Sequence, residues 1–581
     1  MNSNIERNQQ SKSNRTLNAI ATLYLLITIT VTAFSLYLTY ILQWQGPFRD
    51  LWEFVDDIER QFAGHWSMEY LLDAYGGAHR IFIPKLLFFA DYYWFNGRND
   101  LTIAVALLCQ LFYGFIIWKA VQSNKAFQAS EKAIVLCLFA LALFSTTQVS
   151  NFLYAMDVQW YMSNALGLLS LYFLAFSGQS FWRWSPVIII GIAAALCNFT
   201  GLMPIVVAII TLLLHRQRTI KHHAILVVLF AISFLYVHNG KNSSNIVISS
   251  LQHSNNIQLS LTIILKTLKD MAIYIPRYLS SPLSREWPIT GYGLALTGIS
   301  ATLYYWFLFY RKNHSLSAWQ KLCLYISSCI IISAIFTAFG RVIYPNSAIA
   351  ERYQTLVLPW LPALFGMLWP HWRNSQSRNL LLIIWAIVFF CYLLPVQTVS
   401  AKNMVIQSSR VNLSHTAARA GVLEMPYVRA TLSHPLIKNN INSVKENDTF
   451  LRSHALGYFQ QLPQYALGKA VSVPTGTTNC IGTTTHSINT EVQAWIFEGQ
   501  LMTPENIAVT DILVTQNHTI KGLGTLIGSD NSFLPKTLQP AEQSQFRAFA
   551  NINNLNTNEP ILLLGIKNST ILCQYTLSPR S

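Results

Sequence analysis

The chain has 581 residues, of which 52% are hydrophobic and only 11% are charged. Soluble domains usually carry roughly 25% charged residues, so this composition excludes an ordinary soluble globular protein and indicates a polytopic membrane protein. The net charge of +15 is also compatible with nucleic-acid binding. However, the basic residues lie in short loops between apolar runs, which is typical of cytoplasmic loops. We therefore expect membrane lipid, and not nucleic acid, as a partner.

The first apolar run predicts an uncleaved membrane anchor. Residues 1–16 are polar and include Arg7, Lys12 and Arg15. The run at 17–43 has spanning length, and no small-residue cleavage site follows it. We therefore expect residues 1–16 to form a cytoplasmic N-terminal tail.

Ten further apolar runs follow, so that about eleven α-helical spans are predicted within residues 17–396. Several runs are short enough to need their polar flanks or a re-entrant path. The runs lie at 101–118, 133–145, 163–176, 187–197, 202–214, 224–237, 291–310, 322–339, 356–369 and 380–394. Basic residues fall in alternate loops, as the positive-inside rule requires. The loops then predicted to lie outside the cytoplasm are 44–100, 146–162, 198–203, 239–288 and 340–355.

Residues 397–581 are predicted to form a separate domain outside the cytoplasm. Residues 404–463 have a helical pattern. Strand-like runs between 492 and 577 then alternate with turn residues, which predicts a small antiparallel β-sandwich. Cys480 and Cys573 are the two cysteines in this polar third. They favour a disulfide in an oxidising compartment, with two free thiols as the alternative.

The loop at 44–100 carries a group of carboxylates directly after the first span. These are Asp50, Glu53, Asp56, Asp57 and Glu59. If Asp50 begins a helix on the membrane surface, with Trp52 as an interfacial anchor, a carboxylate facing a cavity would suit a general base for a sugar hydroxyl. A merely solvated acidic helix face is the alternative.

Cationic residues follow in the same loop. His79 and Arg80 precede an apolar run that carries Pro84 and Lys85. A guanidinium and an ammonium near the bilayer can hold a lipid-linked phosphate; snorkelling side chains at a helix end are the alternative. The positive-inside rule makes basic residues uncommon in loops outside the cytoplasm, so their presence here favours the functional interpretation.

The other predicted outside loops are also polar. Their ionisable and amide residues include Asn151, Asp157, Gln159, Arg341, Glu351 and Arg352, beside Tyr353. Ordinary turns are one interpretation. Their convergence on one face instead predicts a shared pocket.

These residues also follow the order of a set of family motifs. The chain resembles the GT-C superfamily of integral-membrane glycosyltransferases, and more closely a bacterial multipass group within or near it. The matching positions are Pro47, Phe48, Asp50, Trp52 and Glu53; His79, Arg80, Pro84, Lys85 and Leu86; Gln148, Asn151 and Gln159; Gly340, Arg341, Arg352 and Tyr353. The chain departs from the pattern at Gly77-Ala78, where the group has Asn-Glu, at Ser150, where it has an acid, and at Glu351, where it has Ser.

The resemblance implies transfer of a sugar, with inversion, from a polyprenyl-phosphate donor to a glycan or lipid-linked acceptor. The reaction would take place on the outer face of the bacterial inner membrane. The implied roles are general base for Asp50, with Glu53 as second choice; phosphate binding for Arg80, Lys85, Arg341 and Arg352; hydrogen bonding for His79; stacking for Trp52 and Tyr353; and substrate binding for Asn151 and Gln159. No metal or other cofactor is expected, although the Asp56-Asp57 pair is an alternative metal site.

Three other functions are consistent with the sequence. A transporter or flippase of lipid-linked saccharide would use the same cationic cavity, but it should show repeated halves, and none is evident. A membrane acyltransferase of surface polysaccharide would need an activated nucleophile, for which His79 is the strongest choice. An assembly protein with a glycan-binding outer domain is the fourth interpretation.

Overall fold

The computed structural model describes most of the chain. The described residues are 2–48, 50–65, 67–68, 71, 81–176, 184–214, 220, 224–225, 227–232, 257–281, 287–312, 316–341, 345–372, 378–422, 441–460, 466–490, 493–507, 509–527, 545–556 and 558–577. Of the predicted functional residues, His79 and Arg80 lie outside this set, and so does the side chain of Glu53.

Most of the described residues up to Arg419 are helical. The helices are α1 (Asn2–Ile41), α2 (Leu51–Phe62), α3 (Phe82–Phe95), α4 (Asp100–Ser123), α5 (Ala129–Leu143), α6 (Val149–Leu153), α7 (Val158–Phe176), α8 (Trp184–Ala195), α9 (Met203–Leu214), α10 (Ile257–Leu279), α11 (Pro288–Lys312), α12 (Ala318–Arg341), α13 (Gln354–Val357), α14 (Trp360–Trp372) and α15 (Arg378–Arg419). Wherever they are described, the predicted apolar runs fall on helices. Helix α10 lies in a segment for which the sequence predicted only a loop.

Four helical segments of the described chain are long and apolar enough to cross a membrane. They are Arg15–Ile41, Asp100–Ser123, Ala129–Leu153 and Ala318–Arg341. The structure therefore indicates a helical membrane protein, while the predicted total of eleven spans stays a prediction. Helices α8 and α9 are apolar but have only 12 residues each, which is short for a straight crossing of the hydrocarbon core.

Buried tryptophans hold the helical part together through their indole nitrogens. Trp360 donates to the Ser327 hydroxyl over 2.7 Å, Trp319 to the Gly366 carbonyl over 3.0 Å, and Trp369 to a carboxylate oxygen of Glu131 over 3.1 Å. Such bonds are favoured where no water replaces them. They cross-link α5, α12 and α14 into one core.

The C-terminal part is a mixed domain with one helix, α16 (Ile441–Ser453), before its strands. These strands are β1 (Thr478–Asn479), β2 (Ile481–Asn489), β3 (Ala494–Met502), β4 (Asp511–Gln516), β5 (Thr519–Ile527), β6 (Gln545–Asn551), β7 (Ile561–Lys567) and β8 (Thr570–Leu577). They form a single sheet in the order β1-β8-β7-β4-β5-β6-β3-β2. The neighbouring pairs are antiparallel except for the parallel pair of β1 and β8.

The predicted β-rich domain is confirmed, but its eight strands form one curved sheet and not the two packed sheets of a sandwich. Helix α15 covers one face of this sheet. Leu413 and Ala417 of α15 share a buried cluster with Leu523 of β5 and Phe549 of β6. The predicted disulfide is confirmed, since Cys480 and Cys573 are bonded.

The C-terminal part also contacts the segment 44–100, which the sequence predicted as the first outside loop. The backbone nitrogen of Gly457 donates to the carbonyl of Asn96 over 2.7 Å. Gly46 has a φ of +116°, and a Cβ placed on it would lie 2.6 Å from the Tyr458 ring. Only glycine fits a backbone of this conformation at so close an approach. The segment before α2 is thereby fixed between the helices and the C-terminal domain.

Candidate active site

Asp50 lies at the N-terminal end of α2, and an aromatic group holds it there. Its backbone nitrogen donates to the Tyr154 hydroxyl over 3.1 Å. The Tyr154 ring packs edge-on against Phe48, with centroids 5.5 Å apart, and Phe48 packs on Trp44 at 4.5 Å. The Asp50 side chain makes no capping bond to α2. A carboxylate in this place is favoured by the positive end of the helix dipole.

Arg352 lies opposite, in the short helical turn Glu351–Tyr353. Burial lowers the pKa of its guanidinium, but Tyr353, Asp157, Asp50 and Tyr154 act electrostatically on it and raise that pKa above its usual value. Asp157 is itself only 3% exposed. The structure thus places a cation and two carboxylates from three separate loops within electrostatic range of one another.

Aromatic rings line the side of this cluster. The Arg352 guanidinium carbon lies 5.4 Å from the centre of the Tyr353 ring. Tyr353 in turn packs on Trp160 and Tyr278, with centroids 5.9 and 5.1 Å away. Rings of this kind lower the conformational freedom of a guanidinium and hold its plane in place.

Arg341 belongs to the same neighbourhood. It ends α12, and its charge and that of Arg352 both act on the Tyr274 hydroxyl. That hydroxyl lies 3.1 Å from the hydroxyl of Ser347. Ser347 belongs to the chain segment that joins the two arginines. Two of the predicted phosphate-binding cations are therefore within electrostatic range of the same hydroxyl.

A buried amide network fixes the turn that carries Arg352. The side-chain nitrogen of Asn151 donates to the Glu351 carbonyl over 2.9 Å and to the Thr355 hydroxyl over 2.8 Å. The Thr355 hydroxyl donates to Gln148 Oε1 over 2.7 Å. Asn151 is only 2% exposed. The structure therefore shows it supporting the turn, where the sequence predicted substrate binding.

Gln159 has a similar supporting role. Its side-chain oxygen accepts a 2.7 Å hydrogen bond from the Asn198 amide, which ties α7 to the short turn Phe199–Leu202. A Cβ on Gly201 of that turn would lie 2.0 Å from the Ala194 carbonyl oxygen. This close packing requires glycine.

Two predicted substrate contacts lie in the core. Trp52 is 4% exposed, so it lies in the core of this structure, and its predicted roles as an anchor and a stacking platform stay predictions. The apolar face of α2, which also includes Phe54 and Ile58, packs inward and takes Trp52 with it. Lys85 is likewise 4% exposed, on the buried face of α3.

The predicted alternative metal site has other contacts. Asp56 is half-buried, and burial raises the pKa of its carboxyl, while a hydrogen bond from Asn447 opposes that rise. Among the described residues, no group of three or more His, Cys, Asp or Glu side chains could hold a metal ion. The expected lack of a metal cofactor stays a prediction.

Comparison with known families, curated proteins and solved structures gave no match. The resemblance to GT-C glycosyltransferases therefore rests on the motifs quoted above.

Sequence reasoning left Tyr154 and Asp157 without a role. Both lie in the polar, aromatic segment at 148–164, where Asp157 was noted as an edge residue. An acid in a predicted apolar environment was the available signal, because a buried carboxylate needs a cationic or hydrogen-bonding partner. Its partner Arg352 is almost 200 residues away, so only the fold identifies the pair.

Proposed function

We propose that this protein is a membrane glycosyltransferase that moves a sugar from a polyprenyl-phosphate donor to a hydroxyl of a glycan or lipid-linked acceptor. We place the reaction on the outer face of the bacterial cytoplasmic membrane. The observation that carries the proposal is that the Arg352 guanidinium lies within electrostatic range of the carboxylates of Asp50 and Asp157.

In this proposal, Asp50 removes the proton of the acceptor hydroxyl. The acceptor oxygen forms a bond to the anomeric carbon from the face opposite the phosphate, which inverts the configuration. The bond between that carbon and the phosphate oxygen breaks, and the electron pair leaves with the lipid phosphate. A general base and cationic stabilisation of the leaving group are the two requirements of this step.

Arg352 and Arg341 take the phosphate. A guanidinium binds phosphate oxygens through two parallel hydrogen bonds, and the Tyr353 ring and the Asn151 network hold Arg352 in place. Asp157 offsets the charge of Arg352 when no substrate is bound, which limits the cost of burying a guanidinium.

Asp50→Asn tests the proposal, because it keeps the size of the side chain and removes its basicity. The matched control is Asp100→Asn, whose carboxylate pairs with Arg98 at 3.2 Å on the surface. Membranes containing each variant are supplied with a panel of polyprenyl-phosphate sugars, and glycan products are measured by mass spectrometry.

We expect Asp50→Asn to lower transfer at least ~100-fold, the usual contribution of a general base, and Asp100→Asn to retain it. Equal transfer by Asp50→Asn and the parent protein would refute the assigned base. If the parent protein transfers no sugar from any donor in the panel, the glycosyltransferase proposal itself fails.

A further inference from the structure

A second polar concavity lies between α2 and α16, apart from the Asp50 cluster. Its volume is about 390 Å³, and it is lined by Glu59, Lys445, Glu446, Thr449, Phe450, Ser453 and His454. Small-molecule sites commonly occupy roughly 300–1,000 Å³. We call this concavity the α2–α16 groove.

Aromatic rings form the base of the groove. Phe450 is buried, and the His454 ring packs on it with centroids 4.6 Å apart. Phe62 meets both rings edge-on at 5.6 and 5.5 Å. Phe62 also stacks on Tyr93 at 4.8 Å. The cluster provides a stiff apolar base at one end of α16.

The rim of the groove is polar. Its exposed residues are Glu59, Lys445, Glu446, Thr449 and Ser453, so carboxylate and hydroxyl oxygens and one ammonium surround the aromatic base. His454 Nδ1 lies 3.1 Å from the Phe450 carbonyl oxygen, which can only accept. His454 Nδ1 also lies 3.0 Å from the Ser453 hydroxyl, so the ring adds hydrogen-bonding nitrogens to the rim.

This combination fits a saccharide better than a lipid. A sugar ring has an apolar C–H face that packs on aromatic rings, and its hydroxyls donate to carboxylates in charge-assisted hydrogen bonds. A lipid tail would need an apolar rim. The lining holds two carboxylates against the single ammonium of Lys445, a balance that disfavours a phosphate, whereas the ammonium can donate to a sugar hydroxyl.

The groove is fixed relative to the proposed base. Asn447, next to Glu446, donates to the Trp52 carbonyl over 3.2 Å, so α16 is attached to the first turn of α2. Glu59 lies nine residues after Asp50 on the same helix, which corresponds to about 14 Å. An extended saccharide in the groove therefore lies within a few sugar lengths of Asp50.

We infer that the α2–α16 groove binds the saccharide part of the acceptor and presents its reacting end toward Asp50. The inference rests on the proposed function for the identity of the bound saccharide as acceptor. It assigns the C-terminal domain a direct part in substrate selection, since α16 supplies most of the lining.

Saccharide binding to the full-length protein in lipid nanodiscs tests this inference, with no donor present. The probes are malto-, cello- and chito-oligosaccharides of two to six units, measured by saturation-transfer NMR and calorimetry. The variants are Glu59→Gln with Glu446→Gln, and separately His454→Ala. Glu505→Gln, an exposed glutamate in the turn after β3, is the matched control.

We expect saturable binding of at least one probe, a loss of affinity of ~10-fold or more in the double variant, and no change in Glu505→Gln. Because all these side chains except Phe450 are at the surface, folding should persist, and circular dichroism checks it. The inference is overturned if no probe binds saturably, or if the double variant binds as tightly as the parent.

The two proposals fail separately. Normal binding by the double variant, together with loss of transfer in Asp50→Asn, refutes the groove and leaves the glycosyltransferase proposal in place. Loss of binding in the double variant, with full transfer by Asp50→Asn, supports saccharide binding in the groove and refutes Asp50 as the base.

Discussion

The side-chain amide of Asn151 donates to the backbone carbonyl of Glu351, 200 residues later, over 2.9 Å. This bond connects α6 to the turn that carries Arg352. The position of the guanidinium, within electrostatic range of Asp50 and Asp157, therefore depends on a buried amide that is far away in sequence.

Replacing Asn151 by Leu should loosen this turn. The Glu351 carbonyl loses this donor, while the Thr355 hydroxyl keeps its bond to Gln148. A buried polar group that loses its partner costs about 1–3 kcal/mol. We expect a lower midpoint of thermal unfolding in detergent and weaker transfer, with Asn554→Ala, an exposed amide, as the control. An unchanged midpoint would show that water or a neighbour replaces the amide.

Replacing Arg352 by Lys should weaken donor binding while the charge is kept. Lysine offers a point charge and cannot form the two parallel hydrogen bonds of a guanidinium. We expect KM for the polyprenyl-phosphate donor to rise ~10-fold or more, the loss of about 1.4 kcal/mol. Arg311→Lys, at the end of α11, is the control. If both variants give the parent KM, Arg352 does not hold the phosphate.

His415 should make stability depend on pH. Its ring stacks on Tyr458, with centroids 4.5 Å apart. Burial lowers the pKa of His415 to about 4, although a hydrogen bond with the Pro47 backbone opposes the shift. Between its unfolded value of about 6.5 and pH 4, the unfolded chain binds a proton that the folded protein does not. The free energy of unfolding should therefore fall with decreasing pH, by up to about 3 kcal/mol over this window.

His415→Phe keeps a ring on Tyr458 and removes the titrating group, so this part of the pH dependence should disappear. His65→Phe, at an exposed histidine, is the control. Denaturant titrations at pH 4, 5, 6 and 7 measure the slope. The same slope in His415→Phe and the parent would assign the dependence to other groups.

Removing the disulfide should destabilise the sheet. Cys480 and Cys573 are 93 residues apart, and opening a loop of this size costs about 2–5 kcal/mol. We expect Cys480→Ser with Cys573→Ser to lower the unfolding midpoint of the C-terminal domain and to increase its proteolysis, whereas Cys109→Ala should leave both unchanged. Equal protease resistance would show that the strand pairing alone holds this edge.

The predicted topology is tested by labelling single introduced cysteines in intact cells. Thr485 of β2 and Lys125 after α4 are both exposed, and the sequence predicts them on opposite sides of the membrane. A membrane-impermeant maleimide should label Thr485→Cys and should leave Lys125→Cys unlabelled until the cells are opened. The reverse result would place Asp50 and Arg352 in the cytoplasm and refute the proposed reaction site.

The sequence alone determined that this is a helical membrane protein with a β-rich C-terminal part, and it located most of the elements. Apolar runs fall on helices because, in a hydrocarbon environment, the backbone N–H and C=O groups of a long apolar segment must form hydrogen bonds with each other. Six of the strands, from β3 to β8, were predicted from alternation and turn residues. Strand β2 was missed because its polar Thr-rich residues at the sheet edge lack a buried face.

Only the tertiary structure decided how these elements combine. Alternation along a strand is the same in one curved sheet as in a sandwich, so the packing of α15 onto the sheet was not predictable. The burial of Trp52 was not predictable either, because an aromatic residue beside acidic residues is equally compatible with an interfacial anchor and with a core position. The electrostatic interaction of Arg352 with Asp50 and Asp157 joins residues that are about 200 to 300 positions apart. A single sequence has no periodic pattern that would predict which distant residues meet.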